Sequence, residues 1–338
     1  MGIRSFRHAL SGCVAAAFLV ACGGSQPPIG APGAIPAPQV AALPVGPTQI
    51  GSTGWLSPQA RKPKSNALIY VNYAESDKVF IYSEQSPHTL LGEITDGINW
   101  PWGMYVDKNG TLYVANIRNN TVTAYPAGSD SPSMTWSQGL SYPFYPIVDS
   151  KGDLFVSNGN GTVVEYLWRS TTPCRVLQTL GGATGMDFDR QGNLYVAYTT
   201  CKSSSSCGAG SIEEFAPGST QGKSLGMTLT YPQGLVVDKS GNIIVADYFA
   251  IDFFRSGAQS PSQVIHTPYL IQIAIDKSET KLFGAQQARG RHGVVLWTAY
   301  PFSPSSQLHT LFKTPVPSEL VGLALAKTVP NRFPELSL

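Results

Sequence analysis

The central part of the chain alternates short apolar runs with short polar segments, and five stretches repeat one arrangement. In each copy an apolar run ends at an aspartate, a tight polar turn follows, and a second apolar run begins three or four residues later. Two apolar runs joined in this way are typical of a β-hairpin. The five copies are 103–116 (GMYVDKNGTLYVAN), 145–158 (YPIVDSKGDLFVSN), 185–198 (GMDFDRQGNLYVAY), 234–247 (GLVVDKSGNIIVAD) and 272–286 (QIAIDKSETKLFGAQ).

The spacing of these hairpins predicts the architecture. Successive turn aspartates lie 42, 40, 49 and 38 residues apart. A period of roughly 40 to 50 residues with strand-turn-strand content is typical of β-propeller blades. Each hairpin is followed by a partly alternating run that Pro or Gly breaks, which indicates a third strand and an irregular outermost strand. The turn aspartates are Asp107, Asp149, Asp189, Asp238 and Asp276.

The two ends of the repeat region supply one further blade. Residues 319–326 (ELVGLALA) match a first strand, and residues 67–73 (ALIYVNY) match the second strand that is absent there. A blade assembled from both termini closes the ring and removes its open sheet edges. The sequence therefore predicts an all-β fold. Its architecture is expected to be a six-bladed β-propeller, closed by N- and C-terminal strands that share one blade.

The first 21 residues have the pattern of a signal peptide. Arg4 and Arg7 form a basic start, and residues 13–21 are apolar but too short to span a membrane as a stable helix. The segment ends in Leu-Val-Ala before Cys22, which resembles the lipobox of bacterial lipoproteins. The resemblance implies export and a lipid on Cys22, and Gly23 in the next position implies the outer membrane. The alternative is an ordinary secretory signal in which Cys22 is incidental.

Residues 22–65 are rich in Pro, Gly, Ala and Gln, which predicts an extended tether between the lipid and a propeller at 66–338.

The chain holds 23 Lys and Arg against 21 Asp and Glu. Removal of Arg4 and Arg7 with the signal leaves 21 of each, so the mature chain has no net charge. No basic stripe is present to attract nucleic acid. We expect a monomer.

Three cysteines remain after removal of the signal and lipidation of Cys22. Cys201 and Cys207 flank a short polar loop, KSSSS, that a disulfide would clamp in an oxidising compartment. We predict that these two form a pair. Cys174 is then left over, and we expect it to be a small buried apolar residue.

The repeated motif resembles NHL repeats. The pattern Pro-x-Gly, apolar run, Asp-x-x-Gly and a second apolar run ending in Val-Ala-Asn or Val-Ala-Asp is clearest in 101–116 and 232–247. The resemblance covers most of 66–338, but Pro146 replaces a glycine in the second copy and Glu279 and Thr280 replace one in the fifth. NHL-like rings include binding scaffolds, sensor domains and enzymes, so the resemblance implies the fold and leaves the function open.

Aromatic residues are concentrated in the loops that precede the innermost strands. Large rings with a polar edge on a rigid frame suit contact with a sugar, a peptide or an aromatic ligand. The alternative is that these rings pack between neighbouring blades. The candidate ligand-binding residues are Trp100, Trp102, Tyr142, Tyr145, Tyr231 and Tyr269.

Polar residues occupy equivalent positions where each second strand ends, among them Asn116, Asn158 and Asp247. Carboxylate and amide oxygens are ligands that Ca²⁺ takes. Gluconolactonase-like and paraoxonase-like propellers use such rings, but Glu75 lacks the motif that surrounds their added Glu. A metal site at Asn116, Asn158 and Asp247 is one hypothesis, and capping of local turns by the same side chains is the other.

Residues 286–293 (QQARGRHG) bring Arg289, Arg291 and His292 together, which suits a carboxylate or phosphate or else forms a solvated loop. No Ser-His-Asp signature, phosphate loop or Cys-His couple is present.

We predict an extracytoplasmic binding or scaffold module for a protein, peptide or glycan of the cell envelope. We expect no cofactor except an optional Ca²⁺. The alternative is a calcium-assisted lactonase- or esterase-like hydrolase, or a propeller lyase.

Overall fold

The computed structural model describes residues 54–61, 67–203, 206–287, 292–314 and 320–326, and these form an all-β fold. Helical structure in them is limited to α1 (Pro58–Arg61) and one 3₁₀ turn at Ala74–Ser76. The first strands are β1 (Trp55–Leu56), β2 (Leu68–Tyr73), β3 (Lys78–Ser83), β4 (Leu90–Ile94), β5 (Pro101–Val106), β6 (Leu112–Asn116), β7 (Thr121–Tyr125), β8 (Met134–Trp136), β9 (Pro143–Val148), β10 (Leu154–Asn158), β11 (Thr162–Tyr166) and β12 (Arg175–Gln178). The remaining strands are β13 (Gly182–Phe188), β14 (Leu194–Ser203), β15 (Ser206–Phe215), β16 (Lys223–Ser224), β17 (Gly234–Val237), β18 (Ile243–Ala246), β19 (Tyr248–Phe254), β20 (Gln263–Ile275), β21 (Lys281–Gln286), β22 (Val294–Ala299), β23 (His309–Lys313) and β24 (Leu320–Ala326).

The strands form antiparallel sheets of four to seven strands. Three sheets are four consecutive strands each, β5 to β8, β9 to β12 and β13 to β16. A fourth sheet has the order β1-β4-β3-β2-β24, so strands from the two ends of the described chain pair within one sheet. The five predicted hairpins are confirmed, because β5, β9, β13, β17 and β20 each pair with the strand that follows.

The remaining sheet runs from β17 to β23 in seven consecutive strands. Its long strand β20 pairs with β19 through Gln263–His266 and with β21 through Leu270–Ile275. The two halves of β20 thus serve two hairpins. The innermost strands contact one another in the order β24, β5, β9, β13, β17, β20, and β20 also contacts β24.

The core lies between neighbouring sheets. Val114 and Ala115 are adjacent in β6 and point to opposite faces, as strand residues do. Val114 packs with Leu68 and Met104 in one cluster, and Ala115 packs with Val156 in the next. Each fully buried Val or Leu contributes roughly 1.5–3 kcal/mol, so every sheet depends on both of its neighbours for stability.

The repeated aspartates close the hairpin turns. The Oδ1 atom of Asp107 accepts hydrogen bonds from the backbone N–H groups of Asn109 and Thr111, both at 2.8 Å. Asp276 accepts two similar bonds from Thr280 and Lys281 at 2.7 Å. In that fifth turn Glu279 has φ 55°, the left-handed conformation that glycine adopts in the other copies. The turn therefore survives without its glycine because the Asp bonds are kept.

The glycine that follows proline in the motif allows close approach of neighbouring innermost strands. A Cβ atom on Gly103 would overlap the carbonyl oxygen of Phe144 in β9. A Cβ atom on Gly322 would likewise overlap the carbonyl oxygen of Trp102 in β5. These two contacts explain why glycine recurs at this position.

One segment differs from the sequence-based expectations. Trp55 and Leu56, which fall in the predicted tether 22–65, pair with Glu93 and Gly92 of β4. Leu56 and Ala60 are buried against the first sheet, so β-structure extends into that range. The predicted signal peptide 1–21 and Cys22 lie outside the described residues.

The cysteines also differ. Cys174 is disulfide-bonded. The expectation that Cys174 is a leftover apolar residue was therefore wrong. Cys201 and Cys207 are directly opposed in the β14–β15 hairpin. Because their side chains are not described, the disulfide between them stays a prediction.

Candidate functional site

One face of the molecule carries the candidate residues. It consists of the loops before β5, β9 and β17, residues 267–269 within β20, and the loops after β2, β6, β10 and β18, and we name it the loop face. Hydrogen bonds join these loops across sheets. The N–H of Trp100 donates to Oδ1 of Asp77 at 2.6 Å, and the N–H of Tyr142 donates to Oδ1 of Asn120 at 2.7 Å.

The proposed metal residues fasten the loops of this face. Asn116 and Asn158 are fully buried, and their Oδ1 atoms accept hydrogen bonds from the N–H groups of Asn99 and Ser141 at 3.0 and 3.1 Å. Each bond joins the end of a second strand to the loop that precedes the innermost strand of the same sheet. These oxygens therefore anchor loops that lie 17 residues earlier in the chain.

Asp247 has the same role in the fourth copy. Its carboxylate accepts the N–H groups of Thr230 at 2.7 Å and Tyr231 at 2.5 Å. In the described ranges there is no group of three or more His, Cys, Asp or Glu residues that could hold a metal ion. Calcium binding at Asn116, Asn158 and Asp247 stays a prediction.

A second carboxyl group lies beside Asp247. Asp252 on β19 is buried and hydrogen-bonded to Asp247. Burial, and secondly the charge of Asp247, raise the pKa of Asp252 to about 7. Burial also raises the pKa of Asp247, although the N–H groups of Thr230 and Tyr231 oppose that rise. We infer that Asp252 is the protonated partner and donates to Asp247 at neutral pH and below.

The innermost strands enclose a central cavity of about 220 Å³, lined by residues of β5, β9, β13, β17, β20 and β24. Tyr145 is buried here and its hydroxyl donates to the carbonyl oxygen of Ile271 at 3.1 Å. The side chain of Gln272 donates from Nε2 to the carbonyl of Met104 and accepts from the N–H of Leu323, both at 2.8 Å. Tyr145, a predicted ligand contact, is thus a structural bridge inside the cavity.

Trp100 and Trp102 pack beside Ile271 and Val321 of the lining strands β20 and β24, and we name this place the cavity mouth. Both rings are half-buried and pack, together with Tyr248, against Ala74, Ile271 and Val321. The ring of Trp102 also meets Phe144 edge-on, at 5.8 Å between centroids, and Phe144 meets Tyr142 at 5.7 Å. These rings therefore pack against neighbouring sheets, as the alternative to ligand binding predicts.

A second aromatic group, the tyrosine cluster, consists of Tyr231, Tyr248, Phe249 and Tyr269. Tyr248 stands nearly perpendicular to the other three rings, with centroid distances of 5.4, 4.9 and 5.4 Å respectively. Phe249 is 51% exposed. A cleft of about 530 Å³ adjoins the cluster, lined by Tyr231, Tyr248, Phe249, Ala209 and residues 228–230.

Several of these aromatic residues have a strained backbone. Four of them have a positive φ, a conformation that costs a bulky residue on the order of 1–3 kcal/mol and concentrates at functional sites. The anchoring bonds from Asp77 and Asn120 hold two of them in place. The four are Trp100 (51°), Tyr142 (59°), Tyr248 (54°) and Tyr269 (55°).

The structure also identifies a cation that the sequence analysis did not select. The guanidinium carbon of Arg118 lies 3.8 Å from the centroid of the Trp100 ring. Of the predicted anion-binding residues, Arg289 and Arg291 lie outside the described residues. His292 is exposed, and its Nδ1 lies 2.7 Å from the carbonyl oxygen of Thr314.

These sheets and their central cavity define a β-propeller, and comparisons with solved structures agree. A chain in the crystal structure of a nidogen–laminin complex superposes with a TM-score of 0.62 at 16% identity, covering 78% of this chain and 99% of that one. A protein of unknown function from Bacteroides caccae superposes with a TM-score of 0.59 at 10% identity, covering 78% and 100%. At these identities the similarity shows the fold alone.

No family model and no curated protein matches the chain. Its membership of the NHL repeats therefore stays a prediction. Among the described residues, no helix is long and apolar enough to cross a membrane.

Proposed function

We propose that this protein is an exported, lipid-anchored propeller of six blades that binds a protein, peptide or glycan of the cell envelope through its loop face. Two observations support six blades. The two halves of β20 serve separate hairpins, so the seven-stranded sheet counts as two blades. The contacts between innermost strands run in a cycle from β24 to β20 and back, and β24 pairs with β2.

The exposed tyrosine cluster is the observation that carries the binding function. An isolated exposed ring is common on protein surfaces, whereas Phe249 packs on two other rings, Tyr248 and Tyr269, beside a cleft of about 530 Å³. Rigid aromatic rings with polar edges lose little entropy on binding and are frequent at interfaces. The nidogen–laminin neighbour is a component of a complex, and a binding role is compatible with this fold.

The cellular location in this proposal rests on the sequence. The basic start, the short apolar run and Cys22 support export and lipid attachment. Replacement Cys22→Ser in the full chain should move the mature protein from the membrane pellet to the soluble fraction of lysed cells. Retention of Cys22→Ser in the pellet would contradict the anchor.

The binding test uses the full mature chain on an array of random-sequence peptides and an array of bacterial envelope glycans. We expect wild type to bind a subset of these probes and Phe249→Ala to weaken that binding by about tenfold or more. The control is Trp168→Ala, which removes a ring that is 62% exposed in the loop between β11 and β12, outside the loop face. Absence of wild-type binding, or equal losses in both variants, would contradict the proposal.

A further inference from the structure

Arg118 lies in the β6–β7 loop of the loop face as a half-buried cation. Its guanidinium stacks on Trp100 at 3.8 Å. Among the described residues no carboxylate forms an ion pair with Arg118. Four other basic side chains in these ranges each form an ion pair with a carboxylate. The Nε atom of Arg118 is buried from solvent and has no hydrogen-bond acceptor among the residues that the structure describes. A buried charged donor without an acceptor is costly, so it calls for a partner supplied from outside.

A second buried donor lies at the same cavity mouth. The Nε1 atom of Trp102 is also shielded from solvent and has no acceptor among the described residues. Trp100 and Trp102 pack on the same three residues, so the two unused donors belong to one region of the loop face. Both groups donate and neither accepts, which indicates a ligand that brings acceptors.

The polar side chains next to Arg118 already bind other groups. Oδ1 of Asp77 accepts the N–H of Trp100, and Oδ1 of Asn120 accepts the N–H of Tyr142. Oδ1 of Asn119 accepts the hydroxyl of Thr121 at 2.8 Å. These bonds commit one oxygen of each of these side chains to a donor other than Arg118.

We propose that Arg118, stacked on Trp100, binds a carboxylate of a peptide ligand on the loop face. A guanidinium presents paired N–H donors that match the two oxygens of a carboxylate, and stacking on an aromatic ring fixes its plane. Trp102 packs in the same cluster as Trp100 and meets Phe144 edge-on, and these rings offer an apolar surface to the residue that carries the carboxylate. This inference rests on the proposed binding function and names the chemistry of its ligand.

The surrounding charge favours a single carboxylate over a polyanion. Asp77 and Glu75 lie in the neighbouring β2–β3 loop, and Asp77 is bonded to the N–H of Trp100 itself. A chain of repeated negative charges, as in an acidic polysaccharide, would meet these carboxylates and be repelled. A peptide with one carboxylate next to an apolar side chain fits the cation and the rings together.

The experiment compares two small probes on the full mature chain. N-acetyl-phenylalanine has the free carboxylate, and its amide has the same ring without the charge. Binding is followed by tryptophan fluorescence and by NMR titration. We expect wild type to bind the acid about tenfold more tightly than the amide. Added salt should weaken binding of the acid and leave binding of the amide unchanged.

Variants assign the difference to Arg118. Arg118→Gln should remove the preference for the acid, and Arg118→Lys should restore part of it, because a lysine keeps the charge without the paired donors. The control is Arg169→Gln, since Arg169 stacks on Trp168 at 4.3 Å but lies outside the loop face. We expect Arg169→Gln to bind both probes as wild type does.

The outcomes separate this inference from the proposed function. Array ligands that bind wild type while acid and amide bind equally, or not at all, would overturn the carboxylate site and leave the binding module standing. An unchanged preference in a folded Arg118→Gln protein would also overturn it. A polyanionic glycan that binds through Arg118 more tightly than the acid would overturn the assignment of a peptide as the ligand. Failure of every array ligand and both probes would overturn both proposals.

Discussion

The hydroxyl of Tyr145 on β9 donates a hydrogen bond to the carbonyl oxygen of Ile271 on β20, across the central cavity and 126 residues along the chain. Burial raises the pKa of Tyr145, so the hydroxyl stays a protonated donor throughout the physiological range. The bond joins two innermost strands of different sheets, and the Tyr145 side chain lines the cavity.

Removal of this hydroxyl should destabilise the protein. In Tyr145→Phe the buried carbonyl oxygen of Ile271 loses its side-chain donor, and we expect the free energy of unfolding to fall by about 1–3 kcal/mol. Urea denaturation followed by circular dichroism measures the change. Tyr82→Phe is the matched control, because the buried hydroxyl of Tyr82 has no partner among the described residues. Equal losses in the two variants would show that the cross-cavity bond adds nothing.

The Asp252 carboxyl group should make stability depend on pH. Its pKa is raised from 3.8 to about 7 in the folded state, so the folded protein binds more protons than the unfolded chain between these values. Its contribution to stability is therefore fully present below pH 4 and is lost as the pH rises through 7. Asp252→Asn keeps a donor for Asp247 and does not titrate. We expect this variant to be more stable than wild type at pH 8, on the order of 2 kcal/mol, with no gain at pH 4.

Thermal melting of wild type and Asp252→Asn between pH 4 and pH 8 checks this prediction. The expected result is a difference between the two melting temperatures that grows with pH. Parallel curves over the whole range would mean that the carboxyl pair has no influence on folding. Circular dichroism at each pH verifies that the variant keeps the β-structure of wild type.

Asn116 should matter for folding in the same way with and without calcium. Its Oδ1 accepts the N–H of Asn99, and its Nδ2 donates to the hydroxyl of Thr123 at 3.0 Å. Asn116→Ala leaves both groups without that partner, and we expect a loss of about 2 kcal/mol in stability. Melting temperatures in EDTA and in millimolar Ca²⁺ should coincide for both proteins. A calcium-dependent rise in wild type that Asn116→Ala abolishes would instead favour the metal hypothesis.

The parts of the structure that could be predicted from sequence are those that repeat. The turn at Asp107 and the turn at Asp276 use the same local hydrogen bonds, so one copy explains the other. Such features depend on neighbours a few residues away in the sequence.

The parts that could not be predicted occur once. Arg118 stands in a single loop and stacks on Trp100, whose own backbone N–H is bonded to Asp77 in another sheet. Tyr248 and Phe249 form the sequence Tyr-Phe after Asp247, where the other hairpin copies have Ile-Arg, Gly-Asn, Thr-Thr and Gln-Ala, and these two adjacent aromatic residues were the available signal. Tyr145 resembled its aromatic neighbours in sequence, and only the long-range bond to Ile271 separates it from them.

Trp102 allows packing and ligand binding to be measured separately. Its half-buried ring packs on Ile271, Val321 and Phe144, so Trp102→Ala should lower stability by about 2–3 kcal/mol. Trp102→Phe keeps a ring and removes the unused Nε1 donor, and we expect stability within about 1 kcal/mol of wild type. The control Trp168→Ala, at a ring that is 62% exposed, should change stability by less than about 0.5 kcal/mol.

Binding of N-acetyl-phenylalanine to Trp102→Phe gives the second measurement. The variant keeps the apolar surface but lacks one of the two unused donors at the cavity mouth, so we expect binding of the acid to weaken about threefold to tenfold. The amide should bind as it does to wild type. If the variant is stable and binds both probes unchanged, Trp102 serves only as packing for the cavity mouth, and Arg118 alone would have to hold the carboxylate.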